Sequence, residues 1–420
     1  MSPDAGCAAS RRVTIIGAGI VGICTACWLQ REGVAVTVLD RGEPGQGCSF
    51  GNAGGICPGS CVPMAMPGLL SKVPGWLLDP EGPLFIRLAY LPRTLPWLIR
   101  FLAAGRPGRV NEIADALRAL HGPTIDAYKT LIDWAGCPEL MHERGQLFLY
   151  ESDAELAADS FGRALRQTRG VQVDILKAGE LRQLEPALGQ VFNAAVYLPE
   201  QGQCANPLRL VQSLAARFVA DGGRIERVQV DALEFGPSRI TALRTSAGSV
   251  PVDELVLAAG AWSGRLLKTA GIGVSLESER GYHVTITDPG VDLRIQSMWA
   301  RRKFVASPME PGLRIAGTDE FAGLDAPPDP RRAAALLKHG EVMLPGLDPH
   351  NHTTWMGHRP GTPDSLPVIG RDPRYGNLLH AFGHGHTGLI GASVTGQLIA
   401  DMVASRTPRI DGAPYRIERF

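Results

Sequence analysis

The stretch RRVTIIGAGIVGICTACWLQREGVAVTVLDRG, residues 11–42, decides the fold. The apolar run before Gly17 and the run VAVTVLD ending at Asp40 read as strands, and IVGICTACWLQ between them reads as a helix. Gly17, Gly19 and Gly22 stand in G-x-G-x-x-G spacing. The first permits a tight turn, the second lets backbone approach a pyrophosphate, and the third lets helix pack on strand. The helix start at Ile20 and Val21 then offers unpaired N–H groups and a partial positive charge to a diphosphate. Asp40, followed by Arg41, ends the second strand, where a carboxylate can accept bonds from a ribose. The unit predicts a Rossmann-like dinucleotide site.

Composition sets the frame around this unit. A chain of 420 residues holds two or three domains of ordinary size. Lys+Arg 42 offset Asp+Glu 42, so no overall field favours nucleic acid. Gly 50 and Pro 32 are scattered among periodic segments, which points to many turns and not to disorder. The eight cysteines lack the paired spacing of a zinc site or a disulfide scaffold, and a reducing, cytoplasmic setting follows. Cys24 and Cys27 form a C-x-x-C inside an apolar helix and read as packing. Residues 1–12 lack the apolar core and cleavage site of a secretory signal, and Arg11-Arg12 leads into a strand and not a twin-arginine signal.

Two further glycine-rich stretches choose between nicotinamide and flavin. SFGNAGGICPG (49–59) supplies Ser49, Asn52, Ala53, Gly54 and Gly55 as a second surface along which an extended cofactor can run. NLLHAFGHGHTGLIGASVTGQLIADMVAS (377–405) reads as strand, glycine loop and long amphipathic helix, with Gly383, His384, Gly385, Thr387, Gly388 and Leu389 in the loop and first turn. A nicotinamide site has no need of this third element. A flavin ring gains from a helix N-terminus near its N1–C2=O edge, which becomes anionic on reduction. FAD is the expected cofactor. The run ELVLAAGAWS (254–263) adds Ala259 and Gly260, small enough for close approach.

The histidines in GHGH invite a metal reading, with His380, His384 and His386 followed upstream by His350, His352 and His358. Spacing of i, i+2 in a glycine loop, without cysteine or carboxylate companions, argues against one. No metal is expected. Segment 63–105 is rich in Leu, Trp and Pro, but prolines interrupt every run before the ~20 apolar residues a bilayer span needs. It reads either as core or as a surface for a membrane or a partner subunit.

The ordered set VTIIGAGIVGICTACWLQREGVAVTVLDR, GNAGGICPG, DELVLAAGAWS, RGYHVTI, LRIAGTDEF, WMGHRPGTPDSLPVIGRD and AFGHGHTGLIGASVTGQLIADMV resembles the D-amino-acid oxidase and dehydrogenase superfamily. That superfamily includes glycine oxidase and sarcosine oxidase, and the likeness is greatest to bacterial D-amino-acid and D-hydroxyproline dehydrogenases. The resemblance implies an α/β (α+β) flavoprotein of two domains. A discontinuous Rossmann-like FAD-binding domain would take 10–62, 204–266 and 355–420. A substrate domain with a mixed or antiparallel sheet would take 63–203 and 267–354, its strands near 145–150, 281–286 and 313–318 covered by helices near 109–135, 152–169 and 330–343.

In that frame Val230 contacts the adenine, and FAD is held non-covalently, although Cys48 lies near the region used for covalent attachment in relatives. Arg359 in GHRPGTPD corresponds to the arginine that clamps the substrate carboxylate, as its planar fork suits two parallel bonds. His386 stands where glycine oxidase offers a second arginine, and would contact either the substrate carboxylate or the departing amine proton. Tyr282 lines the pocket in relatives, with His283 turned to the opposite face of the strand. The implied reaction is oxidation of a D-amino acid, D-proline and D-hydroxyproline included, by hydride transfer from Cα to flavin N5. Electrons would pass to a quinone pool, by an enzyme peripheral on the inner face of the cytoplasmic membrane, or to O₂. A non-catalytic flavoprotein subunit is the alternative of a different class.

Overall fold

The computed structural model describes residues 12–420. The readings that fall on residues 1–11, including Cys7 and Arg11, lie outside them. The chain is a mixed α/β protein with two main sheets.

The first sheet has six strands in the order Arg224–Arg227, Ala35–Asp40, Arg12–Ile16, Glu254–Leu257, Leu378–Phe382 and Val368–Arg371. The first five are mutually parallel, and Val368–Arg371 closes the edge antiparallel. The central strands read as nearly unbroken Val, Ile and Leu because both faces of a parallel sheet are covered; Ile15, Val38, Leu255 and Leu379 are fully buried.

Helix Ile20–Arg31 packs on helix Gly388–Val403 beside this sheet. Their closest approach needs Gly396, where a Cβ would stand 2.9 Å from the Cys24 carbonyl oxygen. Helix Gly388–Val403 buries 14 of its 16 residues, so it is a central helix and not the amphipathic one expected from its sequence. The reason is a further layer. Helices Pro107–His121 and Thr124–Ala135 cover it from outside, with Tyr128 Oη donating to Leu389 O at 2.6 Å and Ser393 Oγ to Ala127 O at 2.9 Å. The stretch 109–135 therefore packs on the cofactor-side helix and not on the second sheet.

The second sheet runs His352–Gly361, Glu277–Ile286, Gly312–Phe321, Phe304–Met309, Gln296–Trp299, Gln146–Tyr150, Ala194–Leu198 and Asp174–Lys177. A ninth strand, Leu84–Ile86, pairs with Gly312–Phe321. Most pairings are antiparallel, and helix Pro330–Met343 covers Glu277–Ile286 and Gly312–Phe321. Residues 355–361, grouped with the cofactor stretches in the sequence division, form the end of this sheet's edge strand. That edge is what positions Arg359.

Candidate active site

A cleft of about 1700 Å³ lies between the carboxyl ends of the parallel strands and the edge of the second sheet. Its lining joins the Gly17 turn, the loop 45–55, Val230, Ala259 and Gly260, the segment 383–390, and Arg359 with its neighbours.

At one pole the glycine turn takes the form its spacing predicts. Gly17 has φ +113°, and a Cβ there would stand 2.3 Å from Ala258 O. A Cβ on Gly22 would stand 1.9 Å from Gly17 O, so Gly22 serves helix packing and lies behind the cleft wall. Asp40 Oδ2 accepts from Ala18 N at 2.7 Å and Oδ1 from Gly42 N at 2.8 Å. Each oxygen keeps a second lone pair toward a ribose. Ser49 Oγ accepts from Ile20 N at 2.9 Å and so takes one of the first-turn amides. Arg41 stacks its guanidinium over Trp262, 4.4 Å from the ring centroid.

The loop 49–55 is gripped from the second sheet. Arg314, buried on strand Gly312–Phe321, donates from Nη1 to Phe50 O at 2.8 Å and Asn52 O at 2.7 Å. Gln296 Nε2 donates to Ala53 O at 2.7 Å. Asn52 Oδ1 accepts from Gly54 N, and Gly54, at φ +82°, supports the turn without lining the cleft. Trp355 fills the space that side chains at Gly51 and Gly357 would need, and His283 stacks on it at 5.1 Å.

The floor near 383–390 fits a planar cofactor. Gly383 and Gly385 have φ +82° and +50°. A Cβ on Gly385 or Gly260 would meet no protein atom within 4 Å, although both line the cleft, so the open space lies over backbone. His384 is buried, with Nε2 2.9 Å from Thr395 Oγ1, and burial pushes its pKa down to about 3. Its neutral ring packs against the Gly388–Val403 helix. His380 pairs with Asp372 at 3.0 Å on a buried strand, as a structural residue.

At the other pole Arg359 meets two acids that sequence reasoning missed. Its Nη1 donates to Asp319 Oδ1 at 2.7 Å and Thr318 O at 2.9 Å, and Nη2 to Gly317 O at 3.4 Å. His386 lies between the acids, with Nε2 3.0 Å from Asp319 Oδ1 and Nδ1 3.3 Å from Glu279 Oε2. Burial pushes Glu279 up to about 7, against the pull of His386 and Arg359. Burial also acts on Asp319, but His386 and Arg359 outweigh it and hold that carboxyl below its usual range. Thr318, unusual for a β-branched residue, has φ +60°, which turns its carbonyl to Arg359.

His386 thus has the carboxylate companions that the GHGH pattern by itself lacks. Ligand-type atoms of Glu279, Asp319 and His386 lie within 4.8 Å of one another, but the Arg359 guanidinium already supplies positive charge beside Asp319.

Tyr282 lines the cleft, as the resemblance implies, but its hydroxyl is engaged within the second sheet. Its phenol accepts from Asp329 N at 2.8 Å and donates to Glu320, which pairs with the buried Arg280. The face of this strand that turns to the Arg359 side carries Glu279, Gly281 and His283. A Cβ on Gly281 would stand 2.0 Å from Arg359 Cζ, and Nδ1 of His283 lies 3.2 Å from Gly51 O. The hydroxyl of Tyr282 is committed to Glu320 and Asp329, while the residue itself lines the cleft with Glu279 and Gly281.

Residues 12–402 match the model of the FAD-dependent oxidoreductase family that includes D-amino-acid oxidase. The chain belongs to that family. This oxidoreductase is 41% identical over 417 residues to a D-amino-acid oxidase of Bradyrhizobium diazoefficiens, covering 98% of this chain and 99% of the relative. It is 32% identical over 440 residues to D-amino acid dehydrogenase 2 of Ralstonia nicotianae, covering 97% and 100%. Among solved structures, glycine oxidase from Geobacillus kaustophilus superposes with TM-score 0.75 at 22% identity, covering 98% of this chain and 100% of that one. L-proline dehydrogenase from P. horikoshii gives TM-score 0.75 at 19%, covering 98% of each. The oxidoreductase uses FAD, and its glycine cradle fits that cofactor.

Proposed function

We propose that the enzyme oxidises D-amino acids at Cα, with Arg359 holding the substrate carboxylate at the pole of the cleft away from the Gly17 turn. One observation carries the reading. A guanidinium that is only partly exposed lines the same cleft as the cofactor cradle, and two of its five N–H donors are unused among the described residues. A planar fork of this kind takes a carboxylate through two parallel bonds. Bound FAD supplies the acceptor for the Cα hydrogen and its two electrons. The chain's own part is to hold the carboxylate, exclude water and fix the geometry.

The cofactor-binding set of this proposal is Gly17, Gly19, Ile20, Val21, Asp40, Arg41, Ser49, Asn52, Ala53, Gly55, Val230, Ala259, Gly260, Gly383, His384, Gly385, Thr387, Gly388 and Leu389, all lining the cleft. FAD is held without a covalent bond. The Cys48 thiol donates to His358 O at 2.8 Å, and burial pushes it up to about 11, so it is a poor nucleophile. The division into an FAD-binding and a substrate domain belongs to the same proposal.

For the electron acceptor a membrane quinone is the reading favoured by segment 63–105. Of the thirteen exposed large apolar side chains among the described residues, eight fall between Met64 and Leu102. Leu78 and Leu88 are more than four-fifths exposed, and Arg93, Arg100 and Arg106 are exposed among them. Exposed apolar and cationic side chains together suit an anionic lipid surface. No helix of the described residues is long and apolar enough to cross a membrane.

The test is anaerobic bleaching of the bound flavin against D-, L- and N-substituted amino acids, beside a peroxide assay in air. D-enantiomers should bleach it, and Arg359→Ala should keep FAD and lose bleaching. Reduction by L-enantiomers alone would overturn the reading, and stoichiometric peroxide would replace the quinone by O₂.

A further inference from the structure

An amino acid in water carries its nitrogen as ammonium, whose lone pair is occupied by a proton. That proton must leave before the nitrogen can form a C=N bond. We propose that Glu279 and His386, held in place by Asp319, are the base that receives it. The inference rests on the D-amino-acid reading above and adds to it residues that reading does not use.

The geometry is a chain of four groups from four separate elements. Glu279 comes from strand Glu277–Ile286, His386 from the turn Gly385–Thr387, Asp319 from strand Gly312–Phe321 and Arg359 from strand His352–Gly361. All four line the cleft. Both imidazole nitrogens face carboxylate oxygens, at 3.3 Å and 3.0 Å. A neutral imidazole has one donor nitrogen and one acceptor, so it cannot donate to two carboxylates at once. The arrangement therefore needs a shared proton, placed on the imidazole or on Glu279. Asp319 is committed to the Arg359 guanidinium at 2.7 Å and fixes the far side of the ring, as a positioning residue. Glu279 and His386 are left to gain and lose the shared proton.

The step balances. The N–H bond of the ammonium breaks, the proton goes to the Glu279–His386 pair, and the electron pair stays on nitrogen. With that pair free, the nitrogen can close C=N as the Cα hydrogen departs with its two electrons, for which bound FAD would supply the acceptor. Release of the captured proton to solvent resets the pair.

The charged groups facing Glu279 are His386, Asp319, Arg359 and, on its own strand, Glu277, which pairs with Tyr90. Burial raises Glu279 to about 7, so the carboxyl is protonated below that pH and a base above it. The rate of flavin bleaching should rise as pH passes upward through about 7.

The experiment measures anaerobic bleaching by a D-amino acid from pH 5 to 10 in the FAD-loaded wild type, Glu279→Gln and His386→Asn. It also measures proton exchange on binding 2-aminoisobutyrate by calorimetry in buffers of different ionisation enthalpy. That probe has the ammonium and carboxylate but no Cα hydrogen, so it binds without reaction. The wild type should show the rise near neutral pH, and the variants should keep FAD, lose the rise and slow by ~100-fold at pH 8, as expected for removal of a general base. Glu279→Gln should also change the number of protons exchanged. Variants that keep both the wild-type profile and proton number would overturn the relay alone. A wild type that no D-amino acid bleaches would overturn the D-amino-acid reading and the relay with it.

Discussion

Gly281→Ala is a small change whose effect can be worked from distances. The methyl group would stand 2.0 Å from Arg359 Cζ, 2.1 Å from Nη2 and 2.5 Å from Nη1. The backbone of Gly281 is not in the left-handed region, so alanine is accepted there without strain. Ordinary contact begins at 3.4 Å, and the guanidinium must retreat by about 1.4 Å (3.4 − 2.0). It is the far end of a flexible side chain and can do so. Its bonds to Asp319 Oδ1 at 2.7 Å and Thr318 O at 2.9 Å then stretch beyond hydrogen-bond range.

A charge-assisted bond is worth ~1.5–3 kcal/mol, so loss of the clamp's aim costs substrate ~3 kcal/mol, or ~100-fold in affinity. The FAD cradle is untouched. The assay is an anaerobic titration that yields the substrate dissociation constant from the bleaching rate, with bound FAD quantified beside it. A dissociation constant within threefold of wild type, with FAD retained, would refute the assignment of Arg359 as carboxylate clamp.

The other predictions are more local. In Gly22→Ala the new methyl would press on a backbone oxygen, Gly17 O at 1.9 Å, which cannot swing aside as a side chain can. Overpacking of this kind costs ~1–3 kcal/mol, and the variant should purify without yellow colour and melt several degrees lower. Replacing Leu78, Leu88 and Ile99 by serine removes three of the exposed apolar side chains. Sedimentation with anionic vesicles should fall while bleaching by substrate is unchanged; equal sedimentation would remove this segment as the lipid-facing surface.

The fingerprint at 17–40 was legible because everything it needs is local: two strands, one turn and a helix within 32 residues of sequence (11–42). The pole around Arg359 was legible only in part. Glu279 and Asp319 are 40 residues apart and meet because Glu279 pairs with Phe321 on one side and Arg359 on the other. Nothing in either segment announces that register. Alternation on Glu277–Ile286 does separate Tyr282 from His283, but it does not announce that neighbours on the strand, Gly281 and Tyr282, both line the cleft, and a register shift between Arg280 and Tyr282 further obscures the pattern. Gly281 was the available signal, since a glycine inside a buried strand marks a close approach. For Gly388–Val403 the difficulty was different. Its apolar and small residues are spread around the whole helix, the pattern of a buried element and not of an amphipathic one, and helices Pro107–His121 and Thr124–Ala135 supply the cover for its outer face.

The grip of Arg314 on the carbonyls of Phe50 and Asn52 has a consequence for traffic through the cleft. A loop tied to a buried guanidinium by two bonds of 2.7 and 2.8 Å, with Trp355 wedged against Gly51, is restrained against hinge motion. The wall that carries the cofactor is a fixed floor. The restraint is weaker where Leu69–Leu78 and Leu91–Ala104 border the same cavity, since these helices have few buried side chains to hold them.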